Sequence, residues 1–142
     1  MNGNAEILNY IHQNSEMGKA TTKQLIGIVK GEGLKGYLQS QYNEYSCIFD
    51  TSEAYLKELN KDAKDLNAFS KAATYMMINI KTLTDKTESH IAEMLIQGST
   101  MGITEITKKL KEYNNADPKI LDLGHKLLKF EQQNIEELKL FL

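Results

Sequence analysis

The sequence contains no arginine: all 17 of its basic residues are lysine. Arginine is the residue that best forms bidentate contacts with phosphates and base edges, so its absence disfavours a nucleic-acid-binding or phosphate-binding role. The 17 lysines are balanced by 19 acidic residues, giving a formal net charge of −2. A strongly basic face for nucleic acid is therefore not expected.

Cysteine and long apolar runs are also scarce. With Cys47 as the single cysteine, neither an internal disulfide nor a cysteine-ligated zinc site can form. Apolar runs such as residues 75–78 are far shorter than the roughly 20 residues needed to span a bilayer. No basic stretch followed by an apolar run occurs near residue 1. We therefore expect a reduced, cytoplasmic location without a membrane span, and Cys47 is predicted to be a small buried apolar side chain.

A single proline in 142 residues leaves long stretches free to be helical. Apolar residues recur at spacings of three and four, as on one face of an amphipathic helix. Asn4 is predicted to cap the first helix, Asp85 with Glu88 resembles a capping box, and Asp117 with Pro118 marks a helix start. The predicted helices are residues 4–30, 33–60, 68–82, 86–113 and 118–142.

Four of these predicted helices have nearly matched lengths of about 40 Å, as a closed bundle requires. The shorter helix, 68–82, is long enough with its linkers to return along the bundle, which would make the second and third long helices parallel. The sequence therefore predicts an all-α fold, a ferritin-like four-helix bundle with a short crossover helix, in one domain over 1–142. The alternative is one continuous helix over 68–113. Gly98 and Gly102 predict a close helix approach, to the crossover helix or to 118–142.

Two runs of residues, 82–103 and 128–139, carry a resemblance to a known group of proteins. They resemble small, uncharacterised ferritin-like proteins of spore-forming Gram-positive bacteria, akin to the spore coat F type. The similarity extends over nearly the whole chain. It implies a ferritin-like four-helix fold but no agreed biochemical role.

Some ferritin-like relatives bind two irons through Glu on two helices and Glu-x-x-His on the other two. The sequence contains no Glu-x-x-His motif. Near His90 the order is reversed, because Glu93 follows this histidine by three residues. No metal or other cofactor is therefore expected. The alternative is an iron or manganese site with unconventional ligands, for which the candidates are Glu44, His90, Glu93 and Glu131.

Several polar residues lie on or beside the apolar stripes near the middle of the predicted helices. A buried carboxylate such as that of Glu131 is costly unless it is hydrogen-bonded or protonated. Two interpretations remain open, a residual ligand site and a hydrogen-bonded layer that fixes helix register. These polar residues are Asn14, Thr21, Gln41, Glu44, Gln97 and Glu131. The predicted buried polar layer consists of Asn14, Gln41, Gln97 and Glu131.

No catalytic motif stands out from the helical pattern. The favoured function is a non-enzymatic structural or protein-interaction role, linked to sporulation or stress, with self-association through a helical face. Two alternatives remain: a degenerate ferritin-like metal-binding carboxylate protein, and a carrier of small apolar ligands.

Overall fold

The computed structural model describes residues 3–59 and 71–142, and every regular element in these ranges is helical. The prediction of an all-α protein is confirmed. The predicted segments 60–67 and 68–70 lie outside the described residues. The helices are α1 (Asn4–Ile26), α2 (Glu32–Glu58), α3 (Lys71–Lys81), α4 (Glu88–Glu112) and α5 (Pro118–Leu138), followed by a 3-10 turn at Lys139–Phe141. None of the described helices is long and apolar enough to cross a membrane.

The ends of α1 differ from the prediction. Gly3, with φ of 79°, occupies the N-cap position, because glycine tolerates the left-handed backbone that the helix start requires here. Asn4 is therefore the first helical residue, and its Oδ1 accepts a 2.8 Å hydrogen bond from the backbone N–H of Asp117 instead of capping α1. At the other end α1 stops at Ile26, and Gly31 is the N-cap of α2.

The predicted break between the third and fourth helices is confirmed, so the continuous helix over 68–113 is wrong. The capping residue, however, is Thr87, whose hydroxyl accepts a 3.3 Å hydrogen bond from the N–H of His90. Asp85 lies two residues earlier and accepts from the N–H of Thr87 at 3.0 Å. The side chain of Asp85 thus orders the turn that leads into α4, and α4 begins at Glu88.

The directions of the long helices follow from their contacts. Short connections make α1 antiparallel to α2, and α4 antiparallel to α5. Tyr37, early in α2, bonds to Asn134, late in α5. Glu58, at the end of α2, pairs with Lys119 at the start of α5. Since α2 and α5 are antiparallel, α2 and α4 run parallel, as the crossover prediction requires.

Two apolar clusters fill the interior, one near each end of the long helices. Each of the four long helices, α1, α2, α4 and α5, contributes to both clusters. The residues between the two clusters therefore form a layer halfway along the bundle, the mid-height layer. One cluster includes Ile7, Leu8, Ile11, Ile48, Leu56, Ile106, Leu110, Ile120 and Leu127. The other includes Leu25, Val29, Leu34, Leu38, Ile91, Met94, Leu95 and Leu138, with Met76 from α3.

Helix α3 packs on α4 and α1. Gly98 permits the close approach of α3, because a Cβ at this position would lie only 2.6 Å from the sulfur of Met76. Of the two glycines predicted to allow a close helix approach, Gly98 therefore faces α3. Gly102 instead faces α1, where a Cβ would lie 3.6 Å from Nδ2 of Asn14, so the predicted partner of Gly102 is corrected. Glu105 of α4 fixes the start of α3, since its Oε1 accepts a 2.8 Å hydrogen bond from the N–H of Ala72.

We expect Glu105→Ala to loosen α3, because the substitution removes the acceptor for a first-turn N–H, which costs about 1 kcal/mol at a helix start. Hydrogen exchange of the α3 amides should become faster, with little change in α1 and α2. Glu105→Gln keeps a carbonyl oxygen as acceptor and serves as the control. Equal protection of α3 in all three proteins would contradict the capping role.

Candidate functional site

A buried hydrogen bond between two helices lies at the centre of the mid-height layer. Glu131, halfway along α5, is 2% exposed. The hydroxyl of Tyr45 on α2 donates a 2.7 Å hydrogen bond to its Oε1. This buried contact joins α2 to α5.

The ring of Tyr45 fits into the bundle because α1 has a glycine beside it. A Cβ at Gly18 would lie 2.5 Å from the ring carbons of Tyr45. On the other side the ring meets Phe130 edge to face, with centroids 4.9 Å apart. This packing leaves the Tyr45 hydroxyl directed at Glu131.

A second pair of side chains extends the layer toward the far end of α5. Asn134 lies three residues after Glu131, on the same helix face, and is also buried. Its Oδ1 accepts a 2.7 Å hydrogen bond from the hydroxyl of Tyr37. Burial raises the pKa of Tyr37 to about 12, and the side chain of Gln41 partly opposes this shift.

Helix α1 contributes a third tyrosine to the layer. The hydroxyl of Tyr10 donates to the backbone oxygen of Gly102 on α4 at 3.3 Å. The Nδ2 of Asn14, one turn further along α1, lies 3.5 Å from the same hydroxyl and donates to it. Through these contacts the layer connects α1 to α4 as well as α2 to α5.

Burial dominates the protonation behaviour of these groups. It raises the pKa of Glu131, while the polar side chains of Ser99, Tyr45 and Asn134 oppose the shift; of these, Tyr45 donates the 2.7 Å hydrogen bond. Burial also raises the pKa of Tyr45 well above its ordinary value, helped by the nearby Glu131 carboxylate. The pKa of Tyr10 rises for the same reason. The tyrosines are therefore neutral hydrogen-bond donors near pH 7.

A cavity of about 40 Å³ lies beside Glu131 and extends beneath α3. Such a volume has room for about two or three water-sized groups. Two buried oxygen atoms that line it have no hydrogen-bond partner among the described residues, Oγ1 of Thr21 and Oε1 of Gln41. The remaining lining includes Asn14, Ser99, Tyr45, Ala72, Ala73, Met76 and Leu95.

The predicted polar layer can be compared residue by residue with this site. Gln41 and Glu131 are buried, Asn14 is half-buried, and all three line the cavity. Gln97 is exposed, so its inclusion in the buried layer is corrected. The physical reason is helical phase: the side of α4 that turns inward carries Gly98 and Ser99, whereas Gln97 points to solvent.

Sequence reasoning did not identify several members of the site. Tyr45 lies on an apolar stripe, and its hydroxyl gave no sign that it would reach a carboxylate 86 residues away. Ser99 and Tyr37 have no local signal of their own. Asn134 could have been found, because a polar residue three positions after a buried Glu131 shares its helix face.

The four alternative metal ligands do not come together. Glu44 lies toward solvent and pairs with Lys126 at 3.6 Å. His90 lies in the first turn of α4, and Glu93 is exposed. Glu131 is buried in the layer. Within 3–59 and 71–142, no group of three or more His, Cys, Asp or Glu side chains is placed to hold a metal ion.

An open groove runs along the outer side of α2 and α5. Cys47 lines it and is exposed, so the prediction that it is a buried apolar side chain is wrong. Its neighbours Tyr45 and Ile48 take the inward positions on α2. Half-buried Tyr37 and Phe130 form the aromatic part of the groove.

Comparison with known proteins gives one family. Its sequence pattern matches residues 4–112, which include α1, α2, α3 and α4. Glu131 and the rest of α5 lie beyond the matched range. No curated protein and no solved structure matches the chain. Because the match covers more than half of the 142 residues, the chain belongs to the family described as a domain of unknown function (DUF2383).

Proposed function

We propose that this protein has a non-enzymatic structural role and acts by pairing with a second copy of itself through α5. The observation that carries the proposal is a stripe of three exposed residues, Lys129, Gln133 and Glu137, along the open groove. The buried layer supports it from inside, because Glu131 and Asn134 anchor the same helix to α2.

The stripe is complementary to itself. Its residues are four apart and therefore lie on one face of α5. Lys129 and Glu137 are each about 6 Å along the axis from Gln133, at 1.5 Å per residue. If two copies of α5 pack antiparallel with a two-fold axis through Gln133, each Lys129 faces the Glu137 of the other copy. Such pairing closes as a dimer, the commonest form of homo-oligomer.

The aromatic groups beside the stripe add apolar area to this interface. Phe130 lies next to Lys129 on α5, and Tyr37 of α2 lines the same groove. Exposed ion pairs contribute only about 0–1 kcal/mol each, so charge alone sets orientation more than affinity. We therefore expect a weak, concentration-dependent dimer.

Charge reversal tests this proposal. Lys129→Glu leaves only acidic charges on the stripe, and Glu137→Lys leaves only basic ones. Two copies of the same variant should therefore repel each other, which should weaken the dimer about tenfold. An equimolar mixture of the two variants should pair again, because acidic and basic stripes then face each other. Sedimentation velocity over a concentration series measures all three cases.

Lys108→Glu, an exposed lysine on α4, is the matched control and should dimerise like the unaltered protein. A protein that stays monomeric at all concentrations would sink the proposal. So would variants that dimerise normally, or a mixture that remains monomeric.

Two further predictions from the sequence belong to this proposal: a ferritin-like bundle and a role in sporulation or stress. A ferritin-like bundle is supported by the parallel direction of α2 and α4, and a role in sporulation or stress by the family resemblance alone. A carrier of apolar ligands is less well supported, because ligand pockets usually measure about 300–1,000 Å³. The interior cavity of about 40 Å³ is much smaller and partly polar.

A further inference from the structure

We propose that the cavity beside Glu131 is a binding site for one monovalent cation, an alkali metal ion or ammonium. Its ligands are the carboxylate of Glu131, Oε1 of Gln41 and Oγ1 of Thr21. All three residues are at least 97% buried and line the same cavity. This site is separate from the dimer stripe on the outside of α5.

The surrounding hydrogen bonds leave acceptors turned toward the cavity. Tyr45 donates to one oxygen of Glu131, and the hydroxyl of Tyr37 donates to Asn134. The Oε1 of Gln41 has no hydrogen-bond partner among the described residues. Thr21 Oγ1 likewise lacks one. Unpaired buried oxygens are costly, and a bound cation would satisfy them.

The neighbouring Thr22 shows that these unpaired atoms are not a general feature of the cavity. Its hydroxyl donates to the backbone oxygen of Gly18 at 2.8 Å, so it is satisfied within α1. Thr21, one position earlier, faces the bundle interior and has no such bond. Of the two adjacent threonines, only Thr21 therefore has a hydroxyl oxygen without a hydrogen-bond partner among the described residues, as a cation ligand needs.

Charge decides which cation fits. Among the described residues that line the cavity, Glu131 alone has an acidic or basic side chain, so these residues give the site a single negative charge when Glu131 is ionised. One monovalent cation neutralises it, whereas a divalent ion would leave an uncompensated buried charge. Oxygen ligands suit hard cations, and the same three acceptors match the N–H groups of ammonium.

The volume of the cavity and the side chains that cover it also fit a small ion. About 40 Å³ accommodates one such ion with a water molecule. Ala72, Ala73 and Met76 of α3 cover the cavity, and these side chains offer no charged group. A cation held there would be largely removed from bulk water, where its attraction to Glu131 is stronger.

The test is the melting temperature of the full chain at pH 8 in sodium, potassium or ammonium chloride, each compared with tetramethylammonium chloride at equal ionic strength. Tetramethylammonium is too large for the cavity. Ligand binding to the folded state raises stability with concentration, so at least one small cation should raise the melting temperature by about 3 °C or more. The ion with the largest effect distinguishes alkali metal from ammonium.

Thr21→Val removes the unpaired hydroxyl and should abolish the cation-specific rise, whereas Thr22→Val should retain it. Glu131→Gln provides a second variant that removes the charge, and it should also abolish the rise. Equal melting temperatures of the unaltered protein in all four salts would overturn the proposal. A cation response that survives Thr21→Val and Glu131→Gln would do the same.

Discussion

Gly18→Ala should destabilise the folded protein by about 2 kcal/mol, although alanine is the better helix former. The added Cβ would lie 2.5 Å from the Tyr45 ring. That ring cannot withdraw easily, because it is packed against Phe130 and bonded to Glu131. Overpacking of a core costs about 1–3 kcal/mol, and moving Tyr45 also weakens the hydrogen bond to a buried carboxylate. Urea unfolding gives the change in free energy.

Gly36→Ala is the matched control for this prediction. Gly36 is also helical, but an added Cβ would have no atom within 4 Å. Alanine there should stabilise the protein by about 0.5–1 kcal/mol through helix propensity. If both substitutions stabilise the protein equally, Gly18 does not hold the position of Tyr45 as described.

Glu131→Gln should stabilise the protein at pH 8 and flatten the pH dependence of its free energy of unfolding. Burial raises the folded-state pKa of Glu131 above its ordinary value of 4.5. The folded state therefore holds this proton more tightly than the unfolded state. The contribution of the protonated Glu131 carboxyl to stability is thus fully present below pH 4.5. It is lost as the pH rises through the raised folded-state pKa. Glutamine avoids that ionisation and still offers Tyr45 an acceptor.

Urea unfolding from pH 4.5 to 8.5 in tetramethylammonium buffers measures this effect without a small cation. The other titratable groups facing Glu131 are Tyr10, Tyr37 and Tyr45, and their raised pKa values keep them neutral over this range. Glu136→Gln changes an exposed carboxylate and should leave the pH profile as it is. A Glu131→Gln protein with the same profile as the unaltered chain would contradict the prediction.

Local rules predicted the helices well. The spacing of apolar residues identified the long helices, and the capping pair at Asp85 and Glu88 separated α3 from α4. Helix ends were less accurate: Asn4 became helical, and Thr87 replaced Asp85 as the cap. Several nearby residues can bond to a helix end, and the choice among them depends on contacts such as Asn4 with Asp117.

The sequence by itself determined the all-helical fold, the position of its breaks and the presence of polar residues at mid-helix, because helical periodicity and capping are local properties. Only the tertiary structure decided that Tyr45 meets Glu131, that Gln97 faces solvent and that Oγ1 of Thr21 and Oε1 of Gln41 have no partner among the described residues. These outcomes depend on the rotation of each helix about its axis and on contacts between distant residues. A shift of one residue turns a side chain by about 100°, which changes a buried layer residue into an exposed one.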